Sequence, residues 1–243
     1  MAKYQPIIIL LGICLVLVAG LSYWSGKAVT PKELTLDETA ADIKTPLTPA
    51  EQTINNPEPT NTMNPIAVLE TNKGTIEIEL YQDTMPITAG NFAKLVGEGF
   101  YNGIKFHRVI DGFMIQSGDP LTKEADTSRY GTGGPGYAIA DEHIKGDLLT
   151  NVRGTISMAN SGPNSGGSQF FINLADNTNL DFDKPPMTSQ HPVFGRVIKG
   201  MDIVDAIGHA ATNERDLPVD AIVIEKATIV SGEAVTTATT TAQ

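Results

Sequence analysis

Alternating apolar and polar residues followed by a helical pattern predict a β-hairpin that leads into a helix. Residues 75–80 (TIEIEL) alternate polar and apolar side chains, as a half-buried strand does. Residues 72–74 (Asn-Lys-Gly) predict a hairpin turn from a strand at residues 67–69. From Pro86 to Gly97 apolar side chains share one helical face, and a proline near the start and a glycine at the end are typical of helix termini.

Short apolar stretches separated by glycine-rich turns fill much of the chain after this helix. They lie at residues 104–110, 113–117, 155–159, 169–174 and 193–198. Residues 201–207 predict a second short helix, and residues 222–224 and 227–230 predict closing strands. Many short strands with turn signals are typical of a closed β-barrel or a β-sandwich. The pattern therefore predicts one mainly β domain over residues 65–232.

An uncharged apolar run at residues 7–24 stands apart from this domain. About 20 apolar residues span a bilayer as a helix. Lys3 precedes the run, and a Tyr-Trp pair ends it as interfacial aromatic residues do. Residues 1–26 are therefore predicted to form an apolar helix that acts as a signal anchor, with a cleaved signal peptide and lipid attachment at Cys14 as alternatives. All three place the rest of the chain outside the cytoplasm, either membrane-anchored or, after cleavage, secreted or periplasmic.

Two further segments have compositions that cannot form a packed core. Residues 27–64 are rich in Thr, Pro, Glu, Asp and Asn without sustained periodicity, which predicts a disordered linker. Residues 233–243 consist mostly of Thr and Ala and are predicted to be a disordered tail. The chain is thus expected to contain an N-terminal membrane or export segment, a tether, one globular domain and a tail.

Charge and composition argue against several classes of function. The formal net charge of -11 at pH 7 argues against nucleic acid as a partner and against binding to anionic lipid. Cys14 is the only cysteine and lies in the apolar run, so the exported part has no cysteine chemistry. The four histidines lack metal-ligand spacing, so we expect no metal and no other cofactor. The glycine-rich run 131–136 lacks a following Gly-Lys-Ser/Thr and is predicted to be a turn rather than a nucleotide-binding loop.

The most informative candidate chemistry lies in residues 106–119 (FHRVIDGFMIQSGD). One arginine and one glutamine stand there among large apolar side chains around an Asp-Gly turn, without a cysteine, a paired carboxylate or a phosphate-binding lysine nearby. Such a surface suits binding of a mostly apolar group with one carbonyl, and it suits rotation of a bond better than cleavage. A second region, from GTISMAN at 154–160 to GSQFFI at 167–172, has the same mixture. Together these segments closely resemble the cyclophilin family of peptidyl-prolyl cis/trans isomerases.

The resemblance extends over nearly all of residues 66–232 and implies both a fold and an activity. The implied fold is a closed eight-stranded antiparallel β-barrel capped by two helices. The implied activity is rotation of Xaa-Pro bonds in proline-containing polypeptides, by a chain expected to be a monomer. The resemblance implies that Arg108 is the catalytic residue. The residues that it implies for substrate binding are Phe113, Met114, Gln116, Ala159, Asn160, Gln169, Phe171, Leu180 and His191.

The sequence departs from the family pattern in two places. Asn179 stands where many cyclophilins have a tryptophan that contacts the inhibitor cyclosporin, which predicts weak inhibition by that compound. Residues 181–190 form a longer segment than in compact members, and this leaves the exact wall around Leu180 and His191 open. His107, next to the arginine, is predicted to point to the opposite side of its strand and to be structural.

Two functions remain open at this point. The first is an enzyme that accelerates Xaa-Pro rotation and helps exported proteins to fold. The second is a binding module or holdase, in which the same groove holds proline-containing segments and turnover is incidental. The presence of Arg108 favours the enzyme, because binding alone needs the apolar pocket more than the cation.

Overall fold

The structure, a computed structural model, describes residues 64–187 and 190–231. These residues form eight strands, two α-helices and three short 3₁₀ turns. The strands are β1 (Ile66–Thr71), β2 (Gly74–Leu80), β3 (Arg108–Ile110), β4 (Met114–Ser117), β5 (Thr155–Met158), β6 (Phe170–Asn173), β7 (Val193–Lys199) and β8 (Ile224–Val230). The helices are α1 (Pro86–Gly97) and α2 (Met201–Gly208), and the 3₁₀ turns are Pro120–Lys123, Thr127–Arg129 and Thr178–Leu180.

The predicted N-terminal apolar helix, the predicted linker up to residue 63 and the predicted tail lie outside the described residues. Within the described part of the chain, neither α-helix has the length and apolar character needed to cross a bilayer. The anchor, the linker and the tail therefore stay predictions.

All eight strands belong to one antiparallel sheet, in the order β3-β4-β6-β5-β7-β2-β1-β8. The sheet is curled into a half-barrel, which confirms a mainly β fold with eight antiparallel strands and two helices, while closure into a full barrel stays a prediction. The edge strands β3 and β8 are not ladder neighbours, but residues 104–106, before β3, meet residues 222–224 at the start of β8. The amide of Phe106 donates to the carbonyl of Ile222 (2.9 Å), and the amide of Ile224 donates to the carbonyl of Ile104 (2.8 Å).

The predicted hairpin and both predicted helices are present. A two-residue turn joins β1 to β2, where Thr71 pairs with Gly74, and the φ of +136° at Gly74 is one that glycine adopts readily. Helix α1 begins with proline in its first turn, and the amides of Ile87 and Thr88 donate to the Glu142 carboxylate at 3.1 and 2.8 Å. That carboxylate satisfies two amides that have no partner inside the helix.

Alternation along four neighbouring strands separates the core from a second face of the sheet. Side chains on a strand point to opposite faces in turn, so each row of cross-strand partners shares one face. One row is apolar and packed in the core: Val109, Ile115, Ile172 and Ile156. The adjacent row lies on the opposite face and is mixed in character: Arg108, Gln116, Phe171 and Ser157. The register therefore brings the predicted catalytic arginine and two predicted binding residues together.

The core behind this face is held by aromatic packing. The ring of Phe92 in α1 lies 5.0 Å from that of Tyr101 and 5.3 Å from those of Phe170 and Phe194, measured between centroids. Tilted and edge-to-face pairs of this kind add to the stabilisation from apolar burial. Because Phe170 points into this cluster, its neighbour Phe171 points to the opposite face.

Candidate active site

A cavity of about 240 Å³ lies over the mixed row of the sheet. Nine of the ten predicted site residues line it: Arg108, Phe113, Met114, Gln116, Ala159, Asn160, Phe171, Leu180 and His191. The tenth, Gln169, lies beside the cavity and contacts it through Gln116. The structure thus brings together residues that are spread over more than eighty positions of the sequence.

The floor of the cavity is apolar. Met114, Phe171 and Leu180 are buried and form a cluster of their own, against which Ile110, Phe113 and Ala159 pack. A tight turn positions Phe113, because its amide donates to the Ile110 carbonyl (3.0 Å) and the intervening Gly112 has a φ of +67°. Left-handed backbone of this kind is easily adopted only by glycine and a few polar residues. Together these side chains form a floor that suits a small apolar ring.

Arg108 lies at the rim of the cavity and keeps contact with solvent. Its side chain is 46% exposed, and its Nε lies 3.4 Å from Oδ2 of Asp216. The loop that contains Asp216 is attached to β3, since the amide of Val109 donates to the Asp216 carbonyl (2.8 Å). Sequence reasoning did not find Asp216, because nothing local marks a residue 108 positions away in the chain as a partner.

Gln169 fixes the orientation of the Gln116 amide. The Nε2 of Gln169 donates to the carbonyls of Gly131 (3.0 Å) and Gly133 (2.8 Å). Its Oε1 therefore faces Gln116, whose Nε2 donates to it (3.0 Å). This arrangement leaves the oxygen of Gln116 as the end that can accept a further hydrogen bond. The run 131–136 forms no strand or helix, and residues 131–135 line an adjoining cavity of about 510 Å³.

Asn160 forms another part of the cavity lining. The Nδ2 of Asn160 donates to the Gln190 carbonyl (2.8 Å), and its Oδ1 accepts from the amide of Gly162 (3.3 Å). Both ends of this side chain are therefore engaged within the protein. Any contact that Asn160 makes with a ligand is expected to come from its main chain rather than from its amide group.

His191 closes the side of the cavity opposite the arginine. Its ring lies edge-to-face against Phe171, with centroids 5.3 Å apart, and its Nδ1 is 3.0 Å from the Met158 carbonyl oxygen. Because a carbonyl oxygen only accepts, Nδ1 holds the hydrogen of the neutral ring and Nε2 is the acceptor nitrogen. Burial lowers the pKa of His191 below its ordinary value of 6.5. Burial also lowers the pKa of His107, which is buried and does not line the cavity.

The wall around Leu180 and His191, whose exact form the sequence did not predict, contains one backbone hydrogen bond. The amide of His191 donates to the carbonyl of Leu180 (3.0 Å), so the two ends of segment 181–190 meet at the cavity. The long segment therefore leaves the wall and returns to it without separating its two residues. Asn179 is exposed next to this wall. Among the described residues, no group of three His, Cys, Asp or Glu side chains is arranged to hold a metal ion.

Comparison with known proteins agrees with this geometry. The family described as "Cyclophilin type peptidyl-prolyl cis-trans isomerase/CLD" matches residues 66–229, which is more than half of the chain. The protein named peptidyl-prolyl cis-trans isomerase-like 1 is 44% identical over 163 residues in both Mus musculus and Homo sapiens, covering 67% of this chain and 91% of the relative.

This chain is a cyclophilin-type peptidyl-prolyl cis-trans isomerase.

Solved cyclophilin structures have the same fold. A cyclophilin type peptidyl-prolyl cis-trans isomerase from Cryptosporidium parvum superposes with a TM-score of 0.59 at 30% identity, covering 70% of this chain and 99% of the other. A second crystal structure of that protein, determined in the presence of the dipeptide Ala-Pro, also has a TM-score of 0.59, at 31% identity. The described cyclophilin domain thus corresponds to nearly the whole of that protein.

Proposed function

We propose that this cyclophilin rotates Xaa-Pro bonds in exported proteins, with the 240 Å³ cavity as the proline site and Arg108 as the catalytic residue. The observation that supports this most directly is a permanent cation at the rim of a small apolar cavity. A cavity for binding alone would need the apolar floor but not the guanidinium. The dipeptide Ala-Pro used with the related C. parvum protein has the chemistry expected of a minimal substrate.

Substrate binding is proposed to combine apolar and main-chain contacts. The proline ring lies on the floor formed by Met114, Phe171 and Leu180. Because Gln169 engages the nitrogen of Gln116, the oxygen of Gln116 is available to accept a hydrogen bond from an amide N–H of the substrate backbone. The main chain near Asn160 aligns the extended peptide alongside. Binding holds the ring and its backbone in one orientation, so less entropy is lost on reaching the transition state of rotation.

Arg108 is proposed to stabilise the twisted amide. Rotation about a peptide bond costs about 18–20 kcal/mol because resonance must be broken. An acceleration of about 10⁵ requires roughly 7 kcal/mol of selective stabilisation. In the twisted state the imide nitrogen regains its lone pair, so a guanidinium close to that nitrogen and the prolyl carbonyl interacts better with it than with the planar state. A preorganised donor contributes about 3–4 kcal/mol.

The remainder is proposed to come from the surroundings of the amide. The twisted amide has less charge separation than the planar one, so transfer to an apolar cavity favours rotation. No proton moves in this mechanism, and no titrating group is needed. Arginine suits the role because it stays charged even beside apolar surface.

The location of the enzyme rests on the N-terminal sequence. The apolar run of residues 7–24 is proposed to anchor the chain in a membrane, with the isomerase domain on the far side from the cytoplasm. The 38 residues from 27 to 64 would then act as a tether with an end-to-end distance on the order of 30–35 Å. Cell fractionation and N-terminal sequencing of the mature protein test this. A mature chain that begins after residue 20 and is found in the soluble fraction would replace the anchor with a signal peptide.

Replacing the arginine tests the catalytic proposal. We expect Arg108→Ala, in the full-length protein purified in mild detergent, to lower the exchange rate of an Ala-Pro peptide at least about a hundredfold. Arg108→Lys keeps the charge but loses the planar donor group, so we expect an intermediate rate. Little loss of stability is expected, because Arg108 is nearly half exposed. Equal rates in the wild type and Arg108→Ala would remove Arg108 from the mechanism.

The same variants distinguish the enzyme from a holdase. If the groove only holds proline-containing segments, Arg108→Ala should protect an unfolded client from aggregation as well as the wild type and should also speed its refolding equally. If the enzyme is correct, protection is retained and the proline-limited refolding phase slows. The comparison therefore separates the two functions in one experiment.

A further inference from the structure

A buried carboxylate lies directly behind the wall of the proline cavity. Asp181 follows Leu180 in the sequence and is only 4% exposed. Three donors point at its side chain: the amide of Asn151 (2.8 Å), the Nδ2 of Asn151 (2.8 Å) and the hydroxyl of Thr150. Among residues 64–187 and 190–231, no lysine, arginine or histidine forms an ion pair with it.

Burial of such a group is costly and needs compensation. A carboxylate removed from water is tolerated only when hydrogen bonds or charges replace its hydration. Here hydrogen bonds alone do so, and Asn151 provides two of the three. An apolar residue at position 181 would leave the amide and Nδ2 of Asn151 and the hydroxyl of Thr150 without this acceptor, so the carboxylate holds these donors in place.

Asn151 connects this carboxylate to the histidine wall. Its Nδ2, which donates to Asp181, also donates to the His191 carbonyl (3.1 Å). Its Oδ1 accepts from the hydroxyl of Ser157 (2.7 Å) and from the Nδ2 of Asn173 (3.2 Å). With both ends of its amide engaged, Asn151 has a single orientation.

The same network continues to the backbone of Phe113. The amide of Asn177 donates to the Asn151 carbonyl (2.7 Å). The Nδ2 of Asn177 donates both to Oδ1 of Asn173 (2.8 Å) and to the Phe113 carbonyl (2.9 Å). A continuous set of buried polar groups therefore connects the backbone of His191 to the backbone of Phe113. Each member is fixed by its neighbours, so the set acts as a spacer of defined length.

We propose that Asp181 and Asn151 are positioning residues that set the separation between the Leu180–His191 wall and the Phe113 wall of the proline cavity. This inference rests on the proposed role of the cavity as the proline site. Neither residue lines the cavity, so both act through the backbone of residues that do. The spacer affects how well the ring fits and not the twisting of the amide. Its loss should weaken binding of substrate and transition state equally, which raises KM and leaves kcat unchanged.

A matched pair of variants tests the spacer. Glu142 is another buried carboxylate that accepts two hydrogen bonds from amides, at the start of α1, and it does not line the cavity. We expect Asp181→Ala and Glu142→Ala both to lower the unfolding midpoint of the full-length protein. Only Asp181→Ala should raise the Kd and the KM of an Ala-Pro peptide, by about tenfold, with kcat within about twofold of the wild type. Asp181→Asn keeps an oxygen for Asn151 and should restore binding to within about threefold.

The outcomes separate this inference from the proposed function. Unchanged peptide binding in a folded Asp181→Ala protein, or equal weakening by Glu142→Ala, would overturn the positioning role while leaving the proline site intact. If Asp181→Ala does not fold, Thr150→Val, which removes one of the three donors, should raise the Kd several-fold, and an unchanged Kd in that folded variant would overturn the positioning role. A wild-type protein that binds no Ala-Pro peptide would overturn the proposed function together with this inference. A wild type that binds without turnover would overturn the catalytic proposal alone.

Discussion

On one side of the proposed proline cavity, the guanidinium of Arg108 and the carboxylate of Asp216 are both almost half exposed and lie 3.4 Å apart. On the other side, Leu180 and His191 are joined by a backbone hydrogen bond and are backed by the buried carboxylate of Asp181. An exposed ion pair contributes about 0–1 kcal/mol and is screened by salt. A buried hydrogen-bonded network responds much more strongly to the loss of one member.

This difference indicates a division of labour between the two sides. The buried side has a fixed shape, which suits recognition of a rigid ring. The solvated side has a cation with room to follow an amide whose geometry changes during the reaction. Changes on the buried side should therefore appear in stability and affinity, and changes on the exposed side should appear in rate.

The largest effect on the buried side is expected from Leu180→Ala. Truncation of a buried leucine costs about 2–5 kcal/mol of unfolding free energy. It also removes part of the floor, so the Kd of an Ala-Pro peptide should rise, as measured by calorimetric titration. Leu95→Ala in α1 is the matched control, because Leu95 is buried in the core away from the cavity. Equal affinity in the two variants would show that the wall does not contact the ring.

Acidification should weaken the buried side before the exposed side. Burial lowers the folded-state pKa of His191 and of His107, so below about pH 6.5 the unfolded chain gains protons that the folded chain does not. The contribution of these two histidines to the unfolding free energy is therefore fully present well above pH 6.5, and it is lost as the pH is lowered towards 5. Hydrogen bonds from Ser128 and from Arg153 lower the pKa values of Asp126 and Asp205, respectively, and these shifts change the stability only below the ordinary aspartate value of 3.8.

Denaturant unfolding between pH 8 and 5, together with nuclear magnetic resonance titration of the imidazole rings, measures this effect. We expect the ring of His191 to titrate with a midpoint below 6.5. The proposed mechanism moves no proton, so the kcat of the folded enzyme should stay constant. Stability that increases between pH 6.5 and 5 would contradict the prediction.

The smallest effect is expected from Asp216→Asn on the exposed side. Loss of this ion pair should change the unfolding free energy by less than about 1 kcal/mol. The exchange rate should change several-fold at most, and its dependence on salt should decrease, because screening no longer acts on the pair. Glu124→Gln breaks the similarly exposed pair with Arg129 and serves as the control, with no expected change in rate. A large loss of stability in Asp216→Asn would contradict the division between the two sides.

Local patterns in the sequence were sufficient to predict most of the elements, and the resemblance to cyclophilins indicated which residues line the cavity. The alternation at 75–80 and the helical face at 86–97 are confirmed, because both depend on neighbouring residues alone. The stretch 104–110 was predicted less well, since only residues 108–110 join a strand. Residues 104–106 instead form hydrogen bonds with residues 222–224, at the start of β8 and more than a hundred positions later.

The supporting residues of the site could not be predicted in the same way. Asp181 appears in the sequence as an ordinary polar loop residue, and its partners Thr150 and Asn151 lie about thirty positions earlier. The contact between Arg108 and Asp216 spans 108 positions. Such contacts depend on how the sheet curls and not on any periodicity. The motif therefore indicated which residues surround the cavity but not which residues hold them there.

The hydrogen bond between Leu180 and His191 closes the segment between them into a loop whose two ends are adjacent. Since its two ends are pinned together, lengthening the exposed outer residues 184–187 should cost only about 0.6 kcal/mol for each doubling of the segment. A fluorescent label or a short peptide tag could be inserted there without reshaping the pocket. Because the ends of this segment form part of the cavity wall, such a label would report on the arrival of a client chain.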